Sequence, residues 1–272
     1  MQCNLGDVAI YYETYGAGRP IVMLPGRPSD HRVMARLMEP LFTERDGWLR
    51  LYPDLPGTGH TPAVDRLATH DQMLDTMLAF IDAVIPGQRF VLAGLSYGGY
   101  LARGVVHHRA ASIDGLLLCV PQVKADPAQA QLPPRTVVVE DPALVAQSRL
   151  GPGASLIVAQ TPRVVSAARE LFAEVAIADH PFNERLEEAA PFSFDVDTLP
   201  APFGAPTLIL TARQDQLCGY RDAWELLGSY PRATFAVLDR AGHLINIEQD
   251  ALCRALIGGW LDRVAEWAPS AV

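Results

Sequence analysis

The stretch Phe90-Val91-Leu92-Ala93-Gly94-Leu95-Ser96-Tyr97-Gly98-Gly99-Tyr100 constrains this chain more than any other. A short apolar run ends in Gly94-Leu95-Ser96-Tyr97-Gly98, and an apolar helical pattern from Tyr100-Leu101 to Val105-Val106 begins at once. The pattern predicts a strand, a sharp turn and a helix. A serine in such a turn sits at a strained backbone position with its hydroxyl pushed outward, and small residues two before and two after it prevent collisions. The free N–H groups of the following helix point at the same place, where they would stabilise negative charge on a substrate oxygen. The same five residues could merely close a tight βα turn, so the functional reading depends on partners elsewhere in the chain.

A serine hydroxyl needs a base to take its proton and a buried acid to hold that base in the right tautomer. Asp215 follows the run Pro206-Thr207-Leu208-Ile209-Leu210-Thr211, and Ala241-Gly242-His243 follows Thr234-Phe235-Ala236-Val237-Leu238. Both runs read as strands, so Ser96, Asp215 and His243 all lie at strand ends, which meet along one edge of a parallel sheet. Asp215 could instead cap a helix near Asp222 or serve as a turn residue, and His243 could be an ordinary loop histidine. No other histidine follows a core strand as directly, and Cys119-Val120-Pro121-Gln122 offers no competing carboxylate.

The rest of the chain supports that sheet. Val8–Tyr15, Pro20–Leu24, Trp48–Tyr52 and Ile113–Val120 read as further strands, with Gly16-Ala17-Gly18 a tight turn between the first two. Helical spacing marks Val33–Met38, with Ser29 or Asp30 as cap, then Met73–Ile85 and Ala251–Trp267. Alternation of strands and helices implies an α/β fold with a largely parallel central sheet flanked by helices on both faces. From 121 to 202 the alternation stops; the segment is proline-studded and mostly helical, with Thr136–Val139 ambiguous. The expected division is a core of residues 1–120 and 203–272, with 121–202 a mostly helical insertion.

Composition bounds the partners. With 272 residues and a net charge of −9, the chain lacks the clustered positive charge that nucleic acid or an anionic membrane requires. Cys3, Cys119, Cys218 and Cys253 show no metal-type spacing and read as free thiols of a cytoplasmic protein. The N-terminal residues carry neither a basic start nor an apolar run, and no segment reaches the length of a membrane span. The expected partner is a small-molecule acyl substrate; a homodimer is compatible with the sequence.

On Gly94-Leu95-Ser96-Tyr97-Gly98, the loop Asp54-Leu55-Pro56-Gly57-Thr58-Gly59, Asp215 and Gly242-His243 leading to Glu248, the chain resembles an α/β-hydrolase-fold enzyme with a helical cap. The resemblance implies an oxyanion hole from the backbone N–H groups of Tyr97 and Arg27, and a cap that governs substrate choice. The loop before Arg27 departs from the usual His-Gly and carries Pro25-Gly26. The implied activity is cofactor-free and metal-free hydrolysis of an ester, thioester or related acyl bond through an acyl-enzyme. Carbon–carbon bond hydrolysis or haloperoxidase-like perhydrolysis would use the same triad, and a non-catalytic ligand receptor is the alternative of another class. Three further side chains carry expectations. Arg27 would either face the cleft and pair with an anionic substrate group, or point to solvent or pair with Asp30 or another nearby acid. His60 would either touch substrate or belong to a rigid bend. Glu248 would compensate the charge at the start of the last helix.

Overall fold

The computed structural model describes residues 1–175 and 177–267. In chain order, β1 (Gln2–Leu5), β2 (Val8–Tyr15) and β3 (Arg19–Leu24) precede α1 (His31–Met38) and β4 (Trp48–Pro53). Next come α2 (His70–Val84), β5 (Phe90–Leu95), α3 (Tyr97–Arg109) and β6 (Ile113–Cys119). Three helices, α4 (Pro142–Ser148), α5 (Pro162–Val175) and α6 (His180–Glu187), lie between β6 and β7 (Thr207–Ala212). The chain then forms α7 (Arg221–Glu225), β8 (Ala233–Leu238), α8 (Ile245–Glu248) and α9 (Asp250–Glu266).

The eight strands form one sheet in the order β1-β2-β4-β3-β5-β6-β7-β8, antiparallel at β1, β2 and β4 and parallel from β4 onward. The strand β1 is absent from the sequence reading because four alternating residues, QCNL, carry almost no apolar signal. The Gly16-Ala17-Gly18 turn does not make a hairpin: β4 sits between β2 and β3 and pairs with both. The β-branched run at 136–139 makes only a single bridge, Val139 to Ala159.

Period-two alternation splits the strands between two apolar layers. Val22, Leu24, Leu92, Leu116 and Leu118 pack against Met73, Met77 and Phe80 of α2 and Leu101 and Val105 of α3. Ile21, Met23, Val91, Ala93 and Leu117 face the other way, against Met34 and Leu37 of α1 and Ile257, Trp260 and Leu261 of α9. Helices α1, α2, α4 and α6 start where a side chain satisfies a free amide. Asp30 accepts from Arg32 N at α1, and Thr69 with Gln72 forms a reciprocal capping box at α2. No side chain caps α3, whose first turn carries the open amides beside Ser96. Among the described residues no helix is long and apolar enough to cross a membrane.

Candidate active site

Ser96 joins β5 to α3 with φ 53° and ψ −118°, a left-handed conformation that a non-glycine residue adopts at a cost. The surrounding backbone holds it there. Its N–H donates to Cys119 O at 3.0 Å, and its carbonyl accepts from Gly99 N at 2.8 Å and Gln122 N at 3.0 Å. The flanking glycines are sterically required, since a Cβ at Gly94 would lie 2.3 Å from Gly98 O and one at Gly98 2.2 Å from Leu24 O.

The three strand-end residues come together. His243 Nε2 lies 3.0 Å from Ser96 Oγ, and its Nδ1 lies 3.0 Å and 3.2 Å from the two carboxylate oxygens of Asp215. Asp215 is buried, and its Oδ1 also accepts from Leu217 N and Cys218 N. Those bonds fix the carboxylate behind the ring. Burial alone would favour the neutral imidazole, but the Asp215 charge outweighs it and lifts the His243 pKa well above the ordinary histidine value. The arrangement can take a proton from the serine and stabilise the resulting imidazolium.

Cys218 is a fourth member of this cluster that composition did not single out. Its Sγ lies 3.9 Å from Ser96 Oγ, and burial pushes its pKa up, which keeps it a thiol. Its position follows from the turn after Asp215, since Cys218 N is one of the donors that hold that carboxylate.

Beside Ser96 runs the loop Pro25-Gly26-Arg27-Pro28. It approaches so closely that a Cβ at Gly26 would sit 2.9 Å from Ser96 Cβ, which only glycine avoids. Among the described residues the backbone N–H groups of Arg27 and Tyr97 have no acceptor. Two free amides therefore flank the hydroxyl. Proline at position 25 costs the loop one N–H, but Ser29 Oγ closes the turn by donating to Gly26 O at 2.8 Å.

Above Ser96 a cleft of about 370 Å³ is bounded by Arg27, Gln122, Asn183, Leu217 and Cys218 among others. Arg27 turns its side chain toward α6, where Nη1 donates to Asn183 O at 3.1 Å and the guanidinium lies 4.0 Å over the Tyr97 ring. It does not pair with Asp30, which is held by Arg32 at 2.6 Å. His60 is exposed, lies against Tyr11 with ring centroids 4.6 Å apart, and is not among the residues lining this cleft. Its loop does reach the site indirectly: Gly57 O accepts from Asp179 N and Asn183 Nδ2, both at 3.0 Å, and so anchors α6.

Glu248 departs from its expected role. It ends α8 rather than opening α9, and its buried carboxylate accepts from Gly242 N at 2.6 Å, Val158 N at 2.7 Å and Ala159 N at 2.9 Å. The contacts tie the segment before His243 to residues about ninety positions earlier, which local helix rules cannot anticipate.

Two trios of potential metal ligands occur among the described residues, Asp215-Cys218-His243 and Asp30-His31-Asp54. In the second, Asp54 accepts from His31 N and His60 N and meets His31 Nδ1 at 2.7 Å, while Asp30 is committed to Arg32. Its donors are spent on the loop itself.

Comparison with known proteins agrees with this architecture. The model of the alpha/beta hydrolase family matches residues 21–255. The AB hydrolase superfamily protein YisY of Bacillus subtilis (strain 168) is 25% identical over 264 residues, covering 92% of this chain and 94% of the relative. An alpha/beta superfamily hydrolase from Oenococcus oeni PSU-1 superposes with a TM-score of 0.83 at 25% identity, covering 94% of this chain and 96% of that one. A thermophilic esterase from Thermogutta terrifontis gives 0.66 at 24% identity, with 96% of both chains covered.

Proposed function

This chain belongs to the alpha/beta hydrolase family, and from that premise we propose that it is a cofactor-independent serine hydrolase that cleaves an ester or related acyl bond of a small molecule. The observation that carries the reading is the continuous relay from Ser96 Oγ to His243 Nε2 at 3.0 Å and from His243 Nδ1 to Asp215 at 3.0 Å. Esterases among the structural neighbours share the fold and are consistent with that chemistry.

In the first half-reaction Ser96 Oγ attacks the acyl carbon while His243 Nε2 takes the hydroxyl proton. The oxyanion forms between the N–H groups of Arg27 and Tyr97, which have no acceptor among the described residues to give up. Asp215 keeps the Nδ1 proton in place and stabilises the imidazolium; His243 then delivers its proton to the leaving alkoxide. Water enters, gives a proton to His243, attacks the acyl-enzyme, and releases the acid as Ser96 recovers its hydrogen. Residues 121–202 act as the cap over this centre, with Gln122, Val123 and Asn183 bounding the space in which the acyl group is held.

The test is covalent labelling by a fluorophosphonate together with turnover of ethyl esters of graded chain length. Labelling that disappears in Ser96→Ala, with hydrolysis falling by several orders of magnitude in both Ser96→Ala and His243→Ala, is the expected result. Near-native turnover by Ser96→Ala would reject the assignment. Labelling without turnover of any ester would favour a binding protein that keeps the triad.

A further inference from the structure

Arg27 enters the proposed chemistry through its backbone, which leaves its side chain to be explained. The guanidinium is held from two directions, by the Asn183 carbonyl on Nη1 and by the face of Tyr97. Its Nε and Nη2 meet no acceptor among the described residues, and Nε is closed to solvent. Burial lowers the Arg27 pKa, opposed by Tyr97 and Glu187, but arginine starts so high that the group stays a cation. A cation has been fixed in a cleft with no carboxylate in direct ion-pair contact with it among the described residues.

Nη2, the donor left both open and without an acceptor, is one of the two with which this protein holds its own carboxylates. Arg32 on Asp30, Arg50 on Glu39 and Arg66 on Asp7 all use Nε and Nη2, each meeting a different oxygen of the carboxylate. At Arg27 no carboxylate comes within ion-pair distance among the described residues. The nearest acidic side chains lining the cleft, Glu184 and Glu187, are exposed on α6. Lys124 lines the same cleft and adds a second positive charge.

We propose that the acyl group of the substrate carries a carboxylate, held by Nη2 of Arg27, so that the substrate class is the half-ester of a short dicarboxylic acid. The spacer must be short because the N–H of this same residue serves the oxyanion, which places the guanidinium one side chain away from the reacting carbon. Hydrolysis adds water across the ester C–O bond and gives the dicarboxylate and an alcohol. The choice of substrate class rests on the serine-hydrolase reading for its chemistry; the carboxylate grip itself does not.

Binding separates the two. In a Ser96→Ala protein, calorimetric titration with monoethyl glutarate should give binding about tenfold or more tighter than with ethyl pentanoate, its neutral counterpart of equal chain length. Adding Arg27→Met should erase that difference, while Arg27→Lys, which keeps the charge but not the planar donor, should keep part of it. In the serine-containing enzyme the ratio of kcat/KM for the same two esters should be about tenfold or more, and should fall toward one in Arg27→Met. Comparing ratios cancels any disturbance of the shared oxyanion site. Absence of the binding preference, or a preference that survives Arg27→Met in a protein with unchanged circular dichroism, would overturn the proposal. Fluorophosphonate labelling of Ser96 reports the hydrolase reading separately: a protein that labels and hydrolyses neutral esters without charge preference keeps that reading and loses this one.

Discussion

The amide of Gly242 donates to the carboxylate of Glu248 at 2.6 Å, one residue before the imidazole of His243. The other oxygen of Glu248 takes Val158 N and Ala159 N, so one buried side chain clamps the histidine loop to the segment between β6 and β7. Burial raises the Glu248 pKa, and these three amides pull it back toward the ionised form. In Glu248→Gln the new NH₂ group must face a donor on one side or the other. The variant should lose about 2 kcal/mol of stability, and turnover should fall about tenfold as the histidine loop loosens. Chemical denaturation and steady-state kinetics measure both; native values for both would show that the clamp is dispensable.

The parts of this site that local chemistry dictates were legible in the sequence. Gly94 and Gly98 around Ser96, and an acid and a histidine in the loops after the last two core strands, follow from what a strained turn and a proton relay require. Contacts made across the fold were not. Glu248 reads as a helix-start residue because a helix does follow it, yet the helix breaks at Gln249 and the carboxylate turns to Val158. Cys218 reads as one more apolar thiol because its approach to Ser96 Oγ, at 3.9 Å, spans 122 positions of sequence. The sequence leaves the Arg27 side chain free to reach solvent, a nearby acid such as Asp30, or the cleft; the fold gives Asp30 to Arg32 and draws the guanidinium to the Asn183 carbonyl.

In the proposed mechanism Asp215 should set the working pH. Because its charge lifts the His243 pKa, the imidazole is protonated, and hydrolysis suppressed, at pH values where an ordinary histidine is already neutral. Activity should therefore fall on acidification along a limb that lies above the ordinary value of about 6.5. Asp215→Asn should move that limb toward acid and lower kcat by about 10⁴, since the amide holds the wrong tautomer and carries no charge. A limb that stays in place in Asp215→Asn would assign the shift to another group.

Acid stability should depend on His70, which is buried beneath Tyr97, with Nδ1 3.0 Å from the tyrosine hydroxyl. Burial, with the Arg27 charge in support, depresses its pKa to about 4. Between the unfolded value near 6.5 and about 4, the unfolded chain takes up a proton that the folded one refuses. Stability is therefore lost as pH falls through this window, about 3 kcal/mol by its lower end. His31 acts in the opposite sense, because Asp54, Asp30 and Glu13 raise its pKa against the effect of burial. The His31 contribution is fully present below the unfolded value and fades as pH rises through the folded one. His70→Asn, which can keep the bond to Tyr97 but does not titrate, should flatten the slope of stability between pH 6.5 and 4. An unchanged slope in urea denaturation across that range would exclude His70 as the source.

Gly57 should control the position of α6, and a second glycine supplies the comparison that isolates the effect. Gly57 and Gly47 have nearly the same backbone conformation, φ 78° and φ 81°. A Cβ at Gly47 would meet nothing within 4 Å, whereas one at Gly57 would lie 2.3 Å from Cδ1 of Phe182 in α6. Alanine at either position carries the left-handed backbone penalty of about 1 kcal/mol. Only Gly57→Ala must also move a buried aromatic ring, which adds about 1 to 3 kcal/mol of overpacking. The push falls on the residue next to Asn183, whose carbonyl holds the Arg27 guanidinium and whose side chain bonds Gly57 O. Gly57→Ala should therefore raise KM for a carboxylate-bearing ester more than for its neutral counterpart, while Gly47→Ala leaves both near the native value. If the two variants lose equal stability and neither alters KM, then α6 is not positioned through this contact, because the backbone penalty they share would account for everything observed.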